Sequence, residues 1–279
     1  MNAPSLQDKE ARLTASLKAR GSVLVAFSGG VDSTYLAAAA QRALGEQALA
    51  VTALSPTYPQ REQHEATELA VRIGIRHETI VSDELAIPGY SENPPDRCYH
   101  CKGELFTKLG ALAAARGLAV VADGTNADDL RDRRPGRRAA AECGVWSPLL
   151  EAGMTKDDIR RLSAALALPT ATKPALACLA SRIPFGERIT ETKLAAVDAV
   201  ETALRELGFR QVRARHHGDV VRIEVEPAEI VRLSAPDTRE RVAAAARAAG
   251  FRYAAVDLDG YRTGSMNEAL RGATVGGER

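Results

Sequence analysis

The strongest constraint on the fold is the stretch from residue 23 to residue 33, which reads Val-Leu-Val-Ala-Phe-Ser-Gly-Gly-Val-Asp-Ser. Residues 23–27 are apolar and predict a buried strand, and the alanine-rich residues 32–44 predict a helix. Gly29 and Gly30 lie between them, where the lack of a side chain lets a ligand approach the backbone. The free N–H groups at a helix start favour an anion. The stretch therefore predicts a phosphate-binding loop, with pyrophosphate as the expected ligand.

The loop carries the pattern Ser-Gly-Gly-x-Asp-Ser. It is neither the Gly-Lys-Ser/Thr loop of many nucleotide hydrolases nor the Gly-x-Gly-x-x-Gly pattern of dinucleotide-binding proteins. The pattern resembles the signature of the PP-loop ATP pyrophosphatases, which cleave ATP between its α and β phosphates. This resemblance implies adenylation of a substrate with release of pyrophosphate, and an ordinary glycine turn is the alternative. The expected nucleotide-binding residues are Ser28, Gly29, Gly30, Asp32 and Ser33.

Charge and hydropathy narrow the class of protein. The chain has 37 Lys and Arg against 36 Asp and Glu, so no overall field attracts nucleic acid. No apolar run has the length of a signal peptide or of a membrane span. We expect a cytoplasmic protein that binds a small molecule and neither nucleic acid nor membrane. Four cysteines in that compartment favour ligands or nucleophiles over disulfides.

Strands alternate with helices along the first part of the chain. Apolar segments at 48–54, 77–81 and 118–122 predict three further strands, and residues 146–150 should close the sheet. This order favours an α/β fold with a doubly wound parallel sheet over residues 1–170. Residues 171–279 contain a loop with two prolines and a glycine, then helices and alternating strands, and predict a smaller α+β domain.

Short polar residues follow the strand predicted at 118–122. They lie where a parallel sheet presents side chains to a nucleotide or its metal, although a solvated turn with a helix cap is the alternative. A basic cluster comes next, from Arg131 to Arg138, and we interpret it as a solvated loop, with a phosphate clamp as the second possibility. The candidates in the polar run are Gly124, Thr125, Asn126 and Asp128.

Three of the four cysteines suit a metal. Cys98 and Cys101 form a Cys-x-x-Cys pair, and Cys178 lies in a separate, later loop. Three thiolates with one open position suit an iron–sulfur cluster. A structural zinc would need a fourth ligand, such as Cys143 or His100, and a protein without metal is the third possibility. We expect Cys143 to be a small buried residue.

The motif Lys173-Pro-Ala-Leu-Ala-Cys-Leu-Ala-Ser-Arg182, taken with the glycine loop and the run 123–129, resembles the LarE family of ATP-dependent sulfur transferases. The resemblance covers nearly the whole chain. This family acts in assembly of the nickel-pincer nucleotide cofactor of lactate racemase. The resemblance implies ATP and Mg²⁺ as cofactors. It also implies adenylation of a carboxylate of pyridinium-3,5-biscarboxylate mononucleotide, which then becomes a thiocarboxylate.

The sulfur source differs between members of this family. Members with one cysteine sacrifice its sulfur, whereas members with three hold a [4Fe-4S] cluster that carries a sulfide. Cys98, Cys101 and Cys178 resemble the second group. Cys178 must then lie near the phosphate loop, where a sulfur nucleophile attacks the activated carbonyl.

Other residues take roles from the same resemblance. Ser181 and Arg182 would orient the intermediate beside Cys178. Arg213 and Arg215, two apart on a strand, point the same way and would bind the 5′-phosphate of the substrate. A solvated strand face is the alternative for the two arginines.

The resemblance also implies features beyond the single chain. Asp32 would take part in binding Mg²⁺, and Glu201 and Glu224 are further candidates for metal or substrate contacts. A homo-oligomer built through the second domain is expected, with transient contacts to other proteins of nickel-pincer biosynthesis.

Three other functions fit part of the pattern. A PP-loop tRNA thiolase also pairs such a loop with three cysteines, but it would add an RNA-binding surface that the charge balance does not indicate. An amide-forming ligase of the NAD or GMP synthetase kind needs ammonia, and no glutaminase segment is present. An ATP-sensing module without turnover would leave the three cysteines unexplained.

Overall fold

A computed structural model of the chain describes residues 4–131, 135–174 and 177–262. The described residues group into two compact units. The first contains residues up to Tyr90 and from Pro95 to Pro174, and the second contains Ser91–Pro94 and the residues from Ala177 onward. None of the helices in these ranges is both long and apolar enough to cross a membrane.

The first unit alternates strands and helices. Its strands are Val23–Ala26 (β1), Ala48–Leu54 (β2), Arg76–Val81 (β3) and Val121–Ala122 (β4). Its helices are Leu6–Arg20 (α1), Val31–Leu44 (α2), Gln60–Ile73 (α3), Arg97–Ala115 (α4), Pro135–Glu142 (α5), Pro148–Glu151 (α6) and Lys156–Ala165 (α7). The four strands are parallel and lie in the order β3-β2-β1-β4. This confirms the predicted parallel α/β fold.

Helices cover both faces of this sheet. Val23 and Val25 of β1 pack in a cluster with side chains of α1, α2 and α7. Leu24, between them, packs in a second cluster with Phe106 and Leu109 of α4. Alternate residues of a strand point to opposite faces, so the continuous apolar run of β1 serves two cores. That arrangement explains why the strand has no alternating polar positions.

Two details of the first unit differ from the sequence prediction. Residues 146–150 do not form a closing strand, because only Trp146 pairs with Ala122 and α6 begins at Pro148. Proline has no N–H for a strand but suits the first turn of a helix. The basic cluster is also not simply a loop. Arg137 and Arg138 lie on α5, whose Ala139 and Ala140 are buried, and residues 132–134 lie outside the described ranges.

The predicted junction after residue 170 falls within a segment that packs in the first unit. Pro169–Thr172 form a short 3₁₀ helix after α7. The Arg160 guanidinium of α7 donates to the carbonyls of Ala171 and Lys173, at 2.5 and 2.9 Å. These bonds anchor the segment, so the first unit continues past residue 170.

The second unit is a small α+β structure. Its helices are Glu191–Glu206 (α8), Ile230–Ser234 (α9) and Pro236–Ala248 (α10), and its strands are Val212–His217 (β5), Val220–Val225 (β6) and Tyr253–Val256 (β7). The order is β5-β6-β7, with β5 antiparallel and β7 parallel to β6. Gly218, with φ 61°, makes the turn of the β5–β6 hairpin. Leu194, Val197 and Leu204 form the buried side of α8.

Candidate functional site

The glycine loop joins β1 to α2 as the sequence predicts. Gly29 has φ 68°, and a Cβ built on it would lie 3.2 Å from Cβ of Ala66, so a side chain there is disfavoured twice. The Ser33 hydroxyl accepts a hydrogen bond from the Ser28 backbone amide at 3.3 Å and donates one to the Gly30 carbonyl at 3.2 Å. These bonds fix the loop. Gly30 caps α2 without any side-chain bond to the helix amides, which leaves the helix start available to an anion.

The polar run after β4 packs against the start of α2. A Cβ built on Gly124 would lie 3.0 Å from the Ser33 nitrogen and 3.1 Å from Cβ of Asp32, so only glycine allows this approach. The Asn126 amide donates to Oδ1 of Asp32 at 3.4 Å. Thr125 instead donates to Asp123 at 2.7 Å. The structure thus brings Gly124 and Asn126 to the loop, while Thr125 shapes the turn.

A lysine that the sequence analysis did not select completes this cluster. The Lys156 ammonium forms an ion pair with Oδ2 of Asp32, and the Lys156 backbone amide donates to Oδ2 of Asp128 at 2.7 Å. Asp128 therefore binds the first residue of α7 and holds the start of that helix near the loop. Thr155 and Asp158 form a capping box at the start of that helix. This capping box is the one sequence signal that could have drawn attention to Lys156, because it marks that lysine as the first residue of the helix.

A second lysine outside the predicted site residues, Lys173, also contacts the phosphate loop. Lys173 forms ion pairs with Glu62 at 2.6 Å and Glu65 at 2.9 Å, and its ammonium donates to the Gly29 carbonyl at 3.3 Å. The Glu62 side chain is only 4% exposed, so the lysine neutralises a buried charge. The first residue of the cysteine-loop motif thus anchors to the phosphate loop.

Cys98 and Cys101 lie one turn apart on α4, on the same side of the helix. Cys98 is exposed and Cys101 is partly exposed. The Cys101 sulfur lies 3.9 Å from Oε1 of Glu84. Burial raises the pKa of the Glu84 carboxyl. Hydrogen bonds from Ser55 and Ser82 lower that pKa, but burial has the larger effect. Among the described residues, no group of three or more His, Cys, Asp or Glu side chains is arranged to hold a metal.

The other two cysteines lie elsewhere. Cys178 is partly exposed and belongs to the second unit, where it precedes the 3₁₀ turn Leu179–Arg182. The three-cysteine ligand set thus takes members from both units and stays a prediction. Cys143 is exposed, so the expectation of a buried residue is wrong. It lies just beyond the end of α5, and the buried side chains of that helix are Ala139 and Ala140.

Arg182 organises the Cys178 turn. Its guanidinium donates to the carbonyls of Ala177 and Cys178 at 2.7 and 3.1 Å and to the Ser181 hydroxyl at 2.9 Å. Its other nitrogens donate to Glu201 at 2.7 and 3.0 Å. Burial alone would raise the pKa of Glu201, but Arg182 and then Arg205 lower it to about 2. Glu201 is therefore an anion that balances arginines.

The two strand arginines are buried rather than solvated. Arg213 and Arg215 are 5% and 4% exposed. Arg215 donates to both oxygens of Glu224 at 3.0 and 2.8 Å and to the Ser181 carbonyl at 2.9 Å. Arg213 lies 5.0 Å from the centre of the Tyr261 ring. Burial and the nearby Arg182 charge lower the pKa of Arg213 to about 10. The solvated-face alternative is therefore wrong.

Comparisons with known proteins identify the family of the chain. Residues 10–222 match the family model described as asparagine synthase. The chain is 44% identical over 247 residues to an uncharacterised protein of Synechocystis, which covers 88% of this chain and 92% of the relative. It is 38% identical over 272 residues to the pyridinium-3,5-bisthiocarboxylic acid mononucleotide synthase of Lactiplantibacillus plantarum. That match covers 97% of this chain and 98% of the relative. The chain therefore belongs to the LarE family within the PP-loop ATP pyrophosphatases, and it is an ATP-dependent enzyme.

Proposed function

We propose that the chain is a sulfur transferase that uses ATP to convert a carboxylate of pyridinium-3,5-biscarboxylate mononucleotide into a thiocarboxylate. The observation that carries the proposal is the phosphate loop, closed by Gly124 against the start of α2. The printed name of the Lactiplantibacillus relative supports the substrate class. The product serves nickel-pincer cofactor synthesis and so the maturation of lactate racemase.

The loop residues fit ATP and Mg²⁺. A Cβ on Gly29 or Gly124 would fill the space between the loop and its neighbours, and the start of α2 carries no side-chain cap. These features suit the backbone binding of phosphate oxygens. The Asp32 carboxylate supplies the oxygen donor that Mg²⁺ prefers, and Mg²⁺ when bound neutralises phosphate charge. Ser28, Gly30 and Ser33 complete the expected contacts.

The reaction has two displacement steps. A carboxylate oxygen of the substrate attacks the α-phosphorus of ATP, and the bond to the β-phosphate oxygen breaks to release pyrophosphate. A sulfur nucleophile then attacks the acyl carbon, the bond to the adenylate oxygen breaks, and AMP leaves. Arg182 and Ser181 hold the backbone around Cys178, and we assign Arg213 and Arg215 to the substrate phosphate.

We propose that Cys98, Cys101 and Cys178 are the ligands of a [4Fe-4S] cluster. The donor set fits, since thiolates are the usual ligands of such clusters and two of them lie one turn apart on α4. A bound cluster would supply a replaceable sulfide, so Cys178 would keep its own sulfur. The sacrificial route, in which Cys178 loses its sulfur, is the alternative.

The proposal extends to the surroundings of the enzyme. We expect a cytoplasmic homo-oligomer that binds a nucleotide substrate without nucleic acid or membrane, and that meets other nickel-pincer biosynthesis proteins transiently. Analytical ultracentrifugation tests the oligomer.

The test of sulfur transfer compares two cysteine variants. Purified enzyme, reconstituted without oxygen, is given ATP, Mg²⁺ and pyridinium-3,5-biscarboxylate mononucleotide, and pyrophosphate and the thiocarboxylate are measured. We expect Cys178→Ser to release pyrophosphate without forming thiocarboxylate. Cys143→Ser, which changes an exposed cysteine, should match the wild type. Full thiocarboxylate formation by Cys178→Ser would overturn the proposal.

The cluster is tested by iron and acid-labile sulfide content. We expect about four irons per chain in the reconstituted wild type, and loss of the cluster in Cys98→Ala. A wild type without cluster, whose Cys178 loses one sulfur and two hydrogens to become dehydroalanine after a single turnover, would establish the sacrificial route instead.

A further inference from the structure

We propose that Lys156 is a phosphate-binding residue of this enzyme, whose ammonium exchanges Asp32 for the pyrophosphate part of ATP. The inference rests on the proposed use of ATP at the glycine loop. It assigns a role to a residue that neither the sequence motifs nor the comparisons select.

The Lys156 ammonium lies close to the start of α2. Asp32 is the second residue of α2, so its carboxylate lies beside the helix start to which an anion binds. Lys156 pairs with Oδ2 of Asp32, and Asn126 donates to Oδ1. The lysine charge thus lies next to the expected phosphate position.

Hydrogen bonds hold the backbone of Lys156 in place. The Lys156 amide donates to Asp128 at 2.7 Å, and Thr155 and Asp158 form a capping box around the same turn. The backbone of Lys156 is therefore fixed, while four methylene groups let its ammonium move between acceptors. A fixed backbone with a movable ammonium group suits a residue that exchanges one oxygen ligand for another.

The ion pair between Lys156 and Asp32 is accessible to solvent. The side chains of Lys156 and Asp32 are 34% and 23% exposed, and ion pairs of this exposure add little to stability. The ion pair therefore contributes little to the stability of the fold, and a ligand can reach both side chains. If Asp32 binds Mg²⁺, the lysine loses its partner as the nucleotide phosphates arrive, and both cations then face the pyrophosphate.

Binding of inorganic pyrophosphate, measured by calorimetry without Mg²⁺, tests the exchange. We expect Lys156→Met to bind pyrophosphate about 10- to 100-fold more weakly than the wild type, as loss of one charged hydrogen bond predicts. Adenosine, which has no phosphate, should bind equally to both. Lys9→Met is the matched control, because Lys9 pairs with Asp158 in the same helical turn at 2.6 Å.

A double-mutant cycle separates phosphate binding from a structural role. Asp32→Asn releases the ammonium and should strengthen Mg²⁺-free binding of pyrophosphate. The gain should disappear when Lys156→Met is added. Lys156→Gln replaces Lys156→Met if that variant unfolds, as judged by its melting curve.

Unchanged pyrophosphate binding in Lys156→Met, or an equal gain from Asp32→Asn with and without Lys156, would overturn the inference. Failure of the proposed function has a different signature, since a wild type that binds pyrophosphate but forms no thiocarboxylate would leave the binding cycle intact.

Discussion

Arg182 and Glu201 form a buried ion pair that joins the turn after Cys178 to helix α8. Two guanidinium nitrogens meet the two carboxylate oxygens at 2.7 and 3.0 Å, and the side chains are 1% and 0% exposed. The third nitrogen donates to the carbonyls of Ala177 and Cys178. A single arginine thus fixes the backbone on both sides of the Cys178 side chain.

Removing one partner of this pair should be costly. We expect Arg182→Met to lower the free energy of unfolding by about 3–5 kcal/mol, because the Glu201 charge then stays buried without its partner. Urea unfolding followed by circular dichroism measures the loss. Arg252→Ala is the control, since its pair with Asp219 is 70% and 73% exposed. A loss of stability in Arg182→Met no larger than in Arg252→Ala would contradict the structural role.

The lowered pKa of Glu201 predicts that the stability of the protein depends on pH. The pKa of Glu201 is about 2 in the folded protein, against 4.5 ordinarily. A lowered carboxyl pKa stabilises the fold above the unfolded value, so this contribution is complete above about pH 4.5 and is lost as the pH falls towards about 2. We expect Glu201→Gln to be less stable than the wild type at neutral pH and to lose less stability across that window. Parallel losses in both proteins would contradict the assignment.

Gly124 should tolerate no side chain. We expect Gly124→Ala to displace the start of α2, with a cost of about 1–3 kcal/mol in stability and about tenfold weaker ATP binding. Gly110 is the matched control, because it lies on α4 with nothing within 4 Å of a built Cβ. Gly110→Ala should bind ATP normally and gain about 0.5–1 kcal/mol. Normal ATP affinity in Gly124→Ala would contradict the close approach.

Much of the first unit could be predicted because its signals are local. The apolar run of β1 and the glycines after it are recognised from neighbouring residues alone. The structure contains both the strand and the loop. The polar run after β4 was expected near a nucleotide because parallel strands end at one edge of a sheet, but the close approach of Gly124 to α2 is seen only in the structure. The segment after Trp146 was mispredicted because pairing stops after one bridge, which no local pattern shows.

The site residues that escaped prediction depend on partners far along the chain. Lys156 pairs with Asp32, and Lys173 pairs with Glu62. Lys173 opens the cysteine-loop motif, but nothing in that motif indicates that its partners lie on α3. Glu201 had been a candidate for metal or substrate contacts. The structure shows it paired with Arg182 and Arg205, a relation that only tertiary packing could reveal.

The fate of one carboxylate oxygen of the substrate tests whether the enzyme forms an acyl adenylate. The substrate is prepared with ¹⁸O in its carboxylates and incubated with the wild-type enzyme, ATP and Mg²⁺, and the nucleotide products are examined by mass spectrometry. Adenylation followed by sulfur transfer predicts AMP that carries one ¹⁸O, formed together with the thiocarboxylate. Unlabelled AMP, or ADP as the nucleotide product, would contradict the proposed activation of the carboxylate.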